Sequence, residues 1–272
     1  CTRSLVGSEM CIRDRFNDMS FRDEVHLAGV NSINWARIMA QIVYYVTSAV
    51  ALGAPDRHVS FTVPSGNFGD IFAGFVAKQM GVPIDRLVIA TNVNDILERT
   101  LRTGRYEVTG VTPTTSPSMD IQVSSNFERL LFEVHGRDSQ TIVRLMSGLK
   151  HSGSFGLAQA PLAAIRSDFD AGRCTEDEVA QPIAETFKAT GELLDPHSAI
   201  GYAVAKRVPQ SSSPMVTLAT AHPAKFPQAV EEASGIRPAL PARLGDLMSR
   251  EERFVVLDND LTAIESHIRK CL

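Results

Sequence analysis

The chain has 272 residues, of which 44% are hydrophobic, so it is long enough to bury a substantial core as one large domain or two smaller ones. Its formal net charge of -4 gives no basic field, which argues against nucleic acid and acidic membrane surfaces as partners. No apolar run has the length needed to span a bilayer. We therefore expect an ordinary soluble globular protein.

The four cysteines are widely scattered along the chain, at Cys1, Cys11, Cys174 and Cys271. They form no Cys-x-x-Cys pair and have no metal-ligand spacing, so we expect no metal site. Such scattering is typical of a reducing compartment rather than of a disulfide framework, and we expect a cytoplasmic protein.

The first fifteen residues differ from the rest of the chain. The chain begins with Cys1, and residues 2–15 (TRSLVGSEMCIRDR) show neither helical nor strand periodicity. The segment is similar to translated library-adaptor sequence, and residues 1–15 are excluded from fold reasoning as non-native. A disordered natural N-terminus is the alternative. In either case we expect the natural protein to begin upstream of Phe16, with residues 16–272 as the part to interpret.

The first predicted element is a long helix at residues 33–52, where apolar side chains recur nearly all round. A helix of this kind is expected to lie buried inside the core. Asn31 or Ser32 is placed to cap it, and Arg37 is a bidentate donor suited to a phosphate dianion. A helix cap followed by an ordinary surface arginine is the alternative interpretation.

The most informative stretch is the sequence PSGNFGD at residues 64–70. It lies between a β-branched run at residues 59–63 and a helical pattern at residues 71–80. A strand, a glycine loop and a helix in this order build an anion site, because the first N–H groups of a helix have no intrahelical partner and carry partial positive charge. Gly66 and Gly69 let a phosphate approach the backbone closely.

The loop does not fit the common nucleotide motifs. Gly69 is followed by Asp70 and Ile71, where a P-loop has Lys and then Ser or Thr. The dinucleotide fingerprint needs a third glycine and a later acidic residue, and neither is clearly present. A small phosphorylated cofactor or substrate fits better. An ordinary turn from strand to helix, with glycines that serve only the turn, is the alternative.

The rest of the chain alternates helices with short strands. Helices are predicted at residues 95–102, 125–134, 139–149, 176–189, 195–207, 227–233 and 261–270, and strands at residues 87–90, 215–219 and 254–257. This alternation is typical of an α/β fold with a parallel sheet. Ligands bind at the carboxyl ends of such strands, where the loops after Val63 and Ala219 are expected to lie.

Two of these helices have clear start signals. Thr175 is followed three residues later by Glu178, which makes a capping box. Asp195 precedes a proline at the first helical position, which suits an acidic cap.

A polar loop follows the strand predicted at residues 215–219. Its sequence, LATAHPAKF, places a hydroxyl, an imidazole and an ammonium close together at Thr220, His222 and Lys225. All three groups can serve chemistry, but a loop histidine is more often hydrogen-bonded or solvated than catalytic. We assign no catalytic residue from the sequence.

Five segments, in this order along the chain, together resemble the threonine synthases of the bacterial and fungal type: NSINWARIMAQ, VPSGNFGD, SPSMDIQVSSNFERLLF, LLDPHSAIG and LATAHPAKF. The resemblance covers the chain from Phe16 onward. It implies a fold type II enzyme with an α/β parallel sheet, similar to the tryptophan synthase β subunit, whose N-terminal part is missing. It further implies pyridoxal 5′-phosphate (PLP) as cofactor and the conversion of O-phospho-L-homoserine and water to L-threonine and phosphate, the last step of threonine biosynthesis.

The resemblance also implies roles for individual residues. The PLP phosphate would lie against the backbone amides of five consecutive residues: Ser65, Gly66, Asn67, Phe68 and Gly69. The substrate phosphate would be gripped by four residues: Asn31, Ser32, Arg37 and Asn67. Thr220 would hydrogen-bond the pyridine nitrogen, while His222 and Lys225 receive no role.

The lysine that forms the Schiff base in these enzymes lies in their N-terminal half, beside a Phe and before an Asp. This sequence has no Phe-Lys-Asp segment, and Lys225 does not match that lysine in the family pattern. We therefore expect a fragment that is inactive by itself.

Two other functions stay open at this stage. Another fold type II lyase, such as a serine or threonine dehydratase, would share the cofactor loop but would have no use for a second phosphate site. A non-enzymatic phosphate-binding module would bind phosphate without a cofactor. The expected partner is the small molecule O-phospho-L-homoserine, with no nucleic acid or membrane partner.

Overall fold

The computed structural model describes residues 18–29, 31–209, 211–258 and 260–272. Asn31–Leu240 form one compact unit, and the described residues before and after this range form a second, smaller one. The segment excluded above, residues 1–15, lies outside the described residues. None of the described helices is long and apolar enough to cross a membrane.

A parallel sheet organises the larger unit. The strands among the described residues are β1 (Val59–Pro64), β2 (Ile84–Thr91), β3 (Arg105–Glu107), β4 (Ser154–Gly156), β5 (Phe169–Arg173) and β6 (Met215–Thr217). Four of them form a sheet in the order β5-β2-β1-β6, and every neighbouring pair in it is parallel. The strands β3 and β4 form a separate antiparallel pair. The predicted α/β fold with a parallel sheet is therefore confirmed.

Helices cover both faces of this sheet. The helices in the described part of the chain are α1 (Met19–Glu24), α2 (Trp35–Ala51), α3 (Gly69–Gln79), α4 (Ile96–Thr103), α5 (Phe127–Val134), α6 (Ser139–Ser152), α7 (Gln159–Asp168), α8 (Glu176–Thr190), α9 (Pro196–Arg207), α10 (Pro227–Ser234) and α11 (Leu261–Cys271). Of these, α2 to α10 belong to the larger unit, and α1 and α11 to the smaller one. Alternate side chains of β2 point to opposite faces. Leu87 and Ile89 pack in one cluster with α2, α3 and α4, whereas Val88 and Ala90 pack in another with α8, α9 and α10.

The sheet order places two loops side by side. In the parallel pair of β1 and β6, Thr62 lies opposite Thr217. Because both strands run in the same direction, the loops that follow them leave the sheet at the same edge. Residues 65–69 and 218–222 are thus neighbours, although about 150 residues separate them in sequence.

The helix α2 is not buried all round, and the prediction that it lies inside the core is wrong. Only three of its side chains are fully buried, at Ile38, Tyr45 and Ala49. Met39 is 53% exposed, Val43 60% and Val50 61%. The helix packs with one side against α3, and its apolar opposite side faces solvent.

Other differences lie at the level of whole elements. The strand predicted at residues 254–257 is absent: this segment pairs with no strand in the described part of the chain, and Phe254 is 71% exposed. A run of apolar residues predicts a strand from the sequence, but a strand forms only where its backbone can hydrogen-bond to a neighbouring strand. The sequence analysis also missed α7 and β5, whose residues Phe169–Arg173 include two charged side chains and a glycine.

Candidate functional site

A cavity of about 290 Å³ opens at the carboxyl ends of β1 and β6. Residues 64–70, together with Ser32, Arg37, Thr220 and Lys225, are among those that line it. The structure therefore brings the glycine loop (residues 65–69), the start of α2 and the loop after β6 together. Of the residues expected from the sequence to form the site, Asn31 is not among those lining the cavity.

Neighbouring segments pack tightly against both glycines of the glycine loop. A Cβ on Gly66 would lie 2.7 Å from the carbonyl oxygen of Ser118, well inside contact distance. A Cβ on Gly69 would lie 3.2 Å from Nδ2 of Asn126. Gly66 therefore requires glycine because the backbone of Ser118 presses against it, whereas a side chain at Gly69 would have to displace the amide of Asn126 by a few tenths of an ångström.

Phe68 has an unusual backbone conformation at the end of this loop. Its φ of 62° is left-handed, which a non-glycine residue adopts only when its surroundings enforce it. The ring is buried and contacts Phe127 and Phe169, at centroid distances of 5.3 and 5.7 Å. A left-handed residue turns successive backbone N–H groups toward one side, which creates a small anion-binding concavity.

The loop leads directly into the N-terminus of α3, where Phe68 supplies no side-chain cap. The first N–H groups of a helix lack intrahelical partners, and the positive end of its dipole favours an anion. These features together fit a phosphate group. No cluster of His, Cys, Asp and Glu in the described part of the chain has an arrangement that could hold a metal ion.

Residues just before α5 hold the glycine loop in place. The hydroxyl of Ser124 donates to the carbonyl of Gly66 at 2.8 Å. The buried amide of Asn126 donates to the carbonyls of Asn67 (3.0 Å) and Ser32 (2.8 Å). Asn126 thus ties the loop to the start of α2. Sequence reasoning missed this role, although a run of three short polar residues before a helix was a visible signal.

The start of α2 carries Arg37 to the cavity. The helix is capped by Asn34, whose Oδ1 accepts a hydrogen bond from the N–H of Ala36 at 2.9 Å, so the expectation that Asn31 or Ser32 caps it is wrong. Asn31 instead accepts from the N–H of Ile33 at 3.1 Å. Within the described residues Arg37 forms no ion pair, which leaves its guanidinium available to an anion in the cavity.

Asp70 is the acidic residue in the cavity wall, and its carboxylate is already engaged. The hydroxyls of Tyr44 and Tyr45 both donate to it, the second at 3.1 Å. Burial raises the pKa of Asp70, against the opposing effect of these two hydrogen bonds and of the charge on Arg37. Two cations, Arg37 and Lys225, line the same space, so the cavity favours an anionic ligand.

The loop after β6 places Thr220 at the cavity. The backbone N–H of Thr220 donates to the hydroxyl of Ser198 at 3.2 Å. The hydroxyl of Thr220 makes no hydrogen bond to the part of the chain that the structure describes, so it is available to a ligand. Sequence reasoning also missed His197, a buried residue of α9 that lines the cavity.

His222 and Lys225 differ in their surroundings. The Nδ1 of His222 accepts from the N–H of Ala224 at 3.1 Å and caps the short 3-10 helix Pro223–Lys225. His222 does not line the cavity, and its contact is structural. Lys225 does line it, with Nζ 5.8 Å from the ring centroid of Phe226.

Comparisons with known proteins agree on one family. A sequence profile described as threonine synthase, C-terminal, matches residues 198–268. The chain is 50% identical over 259 residues to the threonine synthase of Pseudomonas aeruginosa, which covers 94% of this chain and 55% of that protein. The threonine synthase of Corynebacterium glutamicum is 42% identical over 92% of this chain and 54% of its own length. The chain spans about half the length of these curated relatives.

Solved structures give the same result. The PLP-bound threonine synthase of Brucella melitensis matches with a TM-score of 0.92 and 61% identity, over 96% of this chain and 56% of that one. The threonine synthase of yeast matches with a TM-score of 0.80 and 36% identity, over 94% of this chain and 55% of its own.

Proposed function

Since this chain belongs to the threonine synthase family, we propose that it forms the C-terminal part of a PLP-dependent threonine synthase. The whole protein would be a carbon–oxygen lyase that converts O-phospho-L-homoserine and water to L-threonine and phosphate. One observation carries the proposal: the glycine loop, Arg37 and Thr220 meet at a single cavity, where a phosphorylated cofactor and a phosphorylated substrate both need to be held. We also propose a cytoplasmic location, supported by the free thiols of Cys174 and Cys271.

The glycine loop suits the phosphate of PLP. The start of α3 supplies N–H donors to it, and Gly66 and Gly69 let neighbouring segments pack closely against the loop that leads into this helix. Ser65, Asn67 and Phe68 complete this loop. The free hydroxyl of Thr220 would hydrogen-bond the pyridine nitrogen, where a neutral partner adds no charge to the ring. When bound, PLP supplies an electron sink for proton loss at the substrate carbons.

The second phosphate would lie beside the first, against Ser32, Arg37 and Asn67. Arg37 can bind it through two parallel hydrogen bonds and stabilise negative charge as the carbon–oxygen bond breaks. The Oδ1 of Asn31 accepts from the N–H of Ile33, so only its Nδ2 could donate to this phosphate. Lys225 adds a second positive charge to the same cavity.

A chimeric enzyme tests the proposal. In it, residues 18–272 of this chain replace the matching half of the Pseudomonas aeruginosa threonine synthase. We expect the chimera to release phosphate and threonine from O-phospho-L-homoserine. In the same chimera, Arg37→Met should lower kcat/KM for this substrate by about 100-fold, since a charge-assisted pair to a phosphate is lost.

Arg57→Met is the matched control, because Arg57 is exposed and does not line the cavity. A folded, PLP-loaded chimera that deaminates threonine or serine and ignores the phosphorylated substrate would contradict the proposal. That result would favour the dehydratase, for which the Arg37 site has no use. Phosphate affinity without any PLP binding would favour a non-enzymatic module.

We further propose that the lysine to which PLP bonds is supplied from outside this chain. Lys225 is the one lysine lining the cavity among the described residues, and the family pattern does not place the Schiff base there. The chain mixed with PLP should therefore show no absorbance band of a lysine Schiff base. A band that disappears in Lys225→Ala and persists in the surface variant Lys188→Ala would contradict this prediction.

A further inference from the structure

The start of α9 carries a buried carboxylate with an unusually complete set of partners. Asp195 is 1% exposed. Its Oδ1 accepts from the backbone N–H of His197 at 2.9 Å and from Nδ1 of His197 at 2.8 Å. Its Oδ2 accepts from the backbone N–H and the hydroxyl of Ser198. A helix cap needs only the two backbone bonds, so the two side-chain bonds need a separate explanation.

Ser198 connects Asp195 to the loop after β6. The hydroxyl of Ser198 donates its proton to Asp195, so its lone pairs face outward. One of them accepts the backbone N–H of Thr220 at 3.2 Å. Asp195 therefore fixes the position of Thr220 through a single intervening hydroxyl.

His197 connects Asp195, by way of Ser118, to the glycine loop. The Nε2 of His197 accepts from the backbone N–H of Ser118 at 3.3 Å, so the ring proton is on Nδ1, facing Asp195. The carbonyl of Ser118 in turn presses against Gly66, where a Cβ would lie 2.7 Å away. Asp195 is thus connected to both walls of the cavity, by way of two adjacent residues.

The packing of α9 keeps this arrangement close to the sheet. A Cβ on Gly201 would lie 3.0 Å from the ring of Pro64 and 3.0 Å from the side chain of Thr217, the last residues of β1 and β6. The helix therefore sits directly against the ends of the two strands from which both loops emerge. Burial alone would raise the pKa of Asp195, but the hydrogen bonds from His197 and Ser198 outweigh it and lower that pKa.

We propose that Asp195 is a positioning residue that sets the distance between the glycine loop and Thr220, and hence between the two groups that hold the ends of one phosphorylated ring cofactor. The distance between the glycine loop and Thr220 is a property of this chain alone. That this distance serves to hold PLP rests on the function proposed above. His197 and Ser198 are the two arms of this anchor.

Separate variants cut each arm. Ser198→Ala removes the bond to Thr220 and leaves the His197 arm intact. His197→Phe removes the bond to Ser118 but keeps an aromatic ring against Phe226, 4.7 Å away in the native chain. Asp195→Asn disturbs both arms, and Ser198→Thr restores a hydroxyl. Ser167→Ala is the control, since that exposed hydroxyl bonds only within α7.

Amide hydrogen exchange of the full chain, measured by mass spectrometry, reports on each wall separately. We expect Ser198→Ala to speed exchange in residues 218–222 about tenfold, the effect of one lost buried hydrogen bond, without changing residues 116–120. His197→Phe should do the reverse, and Asp195→Asn should speed both. Ser198→Thr should restore the native rate. A thermal melt of each variant separates local from global loosening.

Two results would overturn the anchor: unchanged exchange in both segments of Asp195→Asn, or equal acceleration of both segments by each single-arm variant. Binding of PLP and of inorganic phosphate, measured by titration, distinguishes the positioning role of Asp195 from the function proposed above. Ser198→Ala should weaken the binding of PLP more than that of inorganic phosphate, since phosphate does not reach Thr220. If the variants show the expected exchange pattern but the native chain binds neither PLP nor phosphate, the proposed function is contradicted while the positioning role of Asp195 is supported.

Discussion

At the scale of single residues, the cavity places a carboxyl group beside positions that suit anions. Asp70 follows the glycine loop directly, and the charge of a carboxylate there would oppose a phosphate. The hydroxyls of Tyr44 and Tyr45 engage this group, and burial raises its pKa. Burial thus favours the neutral form of Asp70, while two tyrosines that lie 25 and 26 residues away in sequence favour its charged form.

The raised pKa of Asp70 makes a prediction about pH. A carboxyl group whose pKa is higher in the folded state stabilises the fold below its unfolded pKa, about 3.9, and this contribution is lost as pH rises through the folded pKa. Asp70→Asn removes the contribution. In urea unfolding from pH 4 upward, the free energy of unfolding of the native chain relative to Asp70→Asn should therefore fall as pH rises.

Asp56→Asn serves as the control, because Asp56 is exposed. The difference in free energy of unfolding between the native chain and Asp56→Asn gives the baseline against which the fall for Asp70→Asn is judged. A flat difference for Asp70→Asn as well would show that the carboxyl group titrates alike in both states.

At the scale of elements, the close packing of α2, α3 and β2 supports the wall of the cavity at Asp70. A Cβ on Gly74 would lie 2.7 Å from the ring of Tyr45 and 2.9 Å from Leu87. Glycine in the middle of a helix costs stability, so its presence here reflects this contact. The contact matters for the site because Tyr45 also holds Asp70, at the start of the same helix.

Two glycines in two helices give a matched pair of substitutions. Gly74→Ala should lower the free energy of unfolding by about 1–3 kcal/mol, since a buried ring must move. Gly148→Ala in α6 meets only the carbonyl of Ser154 at an ordinary 3.6 Å, and should raise it by up to about 1 kcal/mol through helix propensity. Chemical unfolding measures both. Equal effects of the two substitutions would show that the Gly74 contact is not tight.

The helix starts show what local sequence specifies well. The capping box of Thr175 and Glu178 forms as predicted, with the Glu178 carboxylate accepting the N–H of Thr175 at 2.7 Å. Asp195 caps α9 as predicted. These contacts join residues two or three positions apart, so their geometry depends little on the rest of the fold. The segment at residues 254–257 had no such local constraint, and its strand prediction failed.

At the scale of the whole molecule, the outward side of α2 is unusual for a surface. Residues 38–55 contain no charged side chain, and exposed Trp35, Met39, Val43 and Val50 lie along this helix. An apolar stripe of this kind is an association and aggregation liability. We expect the isolated chain to associate and to be poorly soluble.

A charge in the middle of this stripe should relieve the association. We expect Val43→Lys to shift the chain toward monomer in sedimentation velocity and to raise its solubility, with the melting temperature nearly unchanged. Val143→Lys is the matched control, because Val143 is 64% exposed on α6 with no comparable stripe around it. A native chain that is monodisperse at high concentration would contradict this prediction.

The sequence by itself determined the features that depend on neighbouring residues: the glycine loop between a strand and a helix, the caps of α8 and α9, and the alternation that specifies a parallel sheet. Each follows from backbone sterics or hydrogen bonds over a few positions. It also placed Arg37 and Thr220 in motifs that the structure brings to one cavity.

Only the tertiary structure decided which distant groups meet. Asn126 joins Asn67 to Ser32, Ser198 holds Thr220, and the two tyrosines of α2 hold Asp70. It also left one side of α2 exposed and, among the described residues, placed β5 at the end of the sheet, where charged residues are tolerated. Such contacts depend on how whole elements pack. Partners that lie 22 to 94 residues apart in sequence are brought together by sheet order and helix placement rather than by the residues next to them.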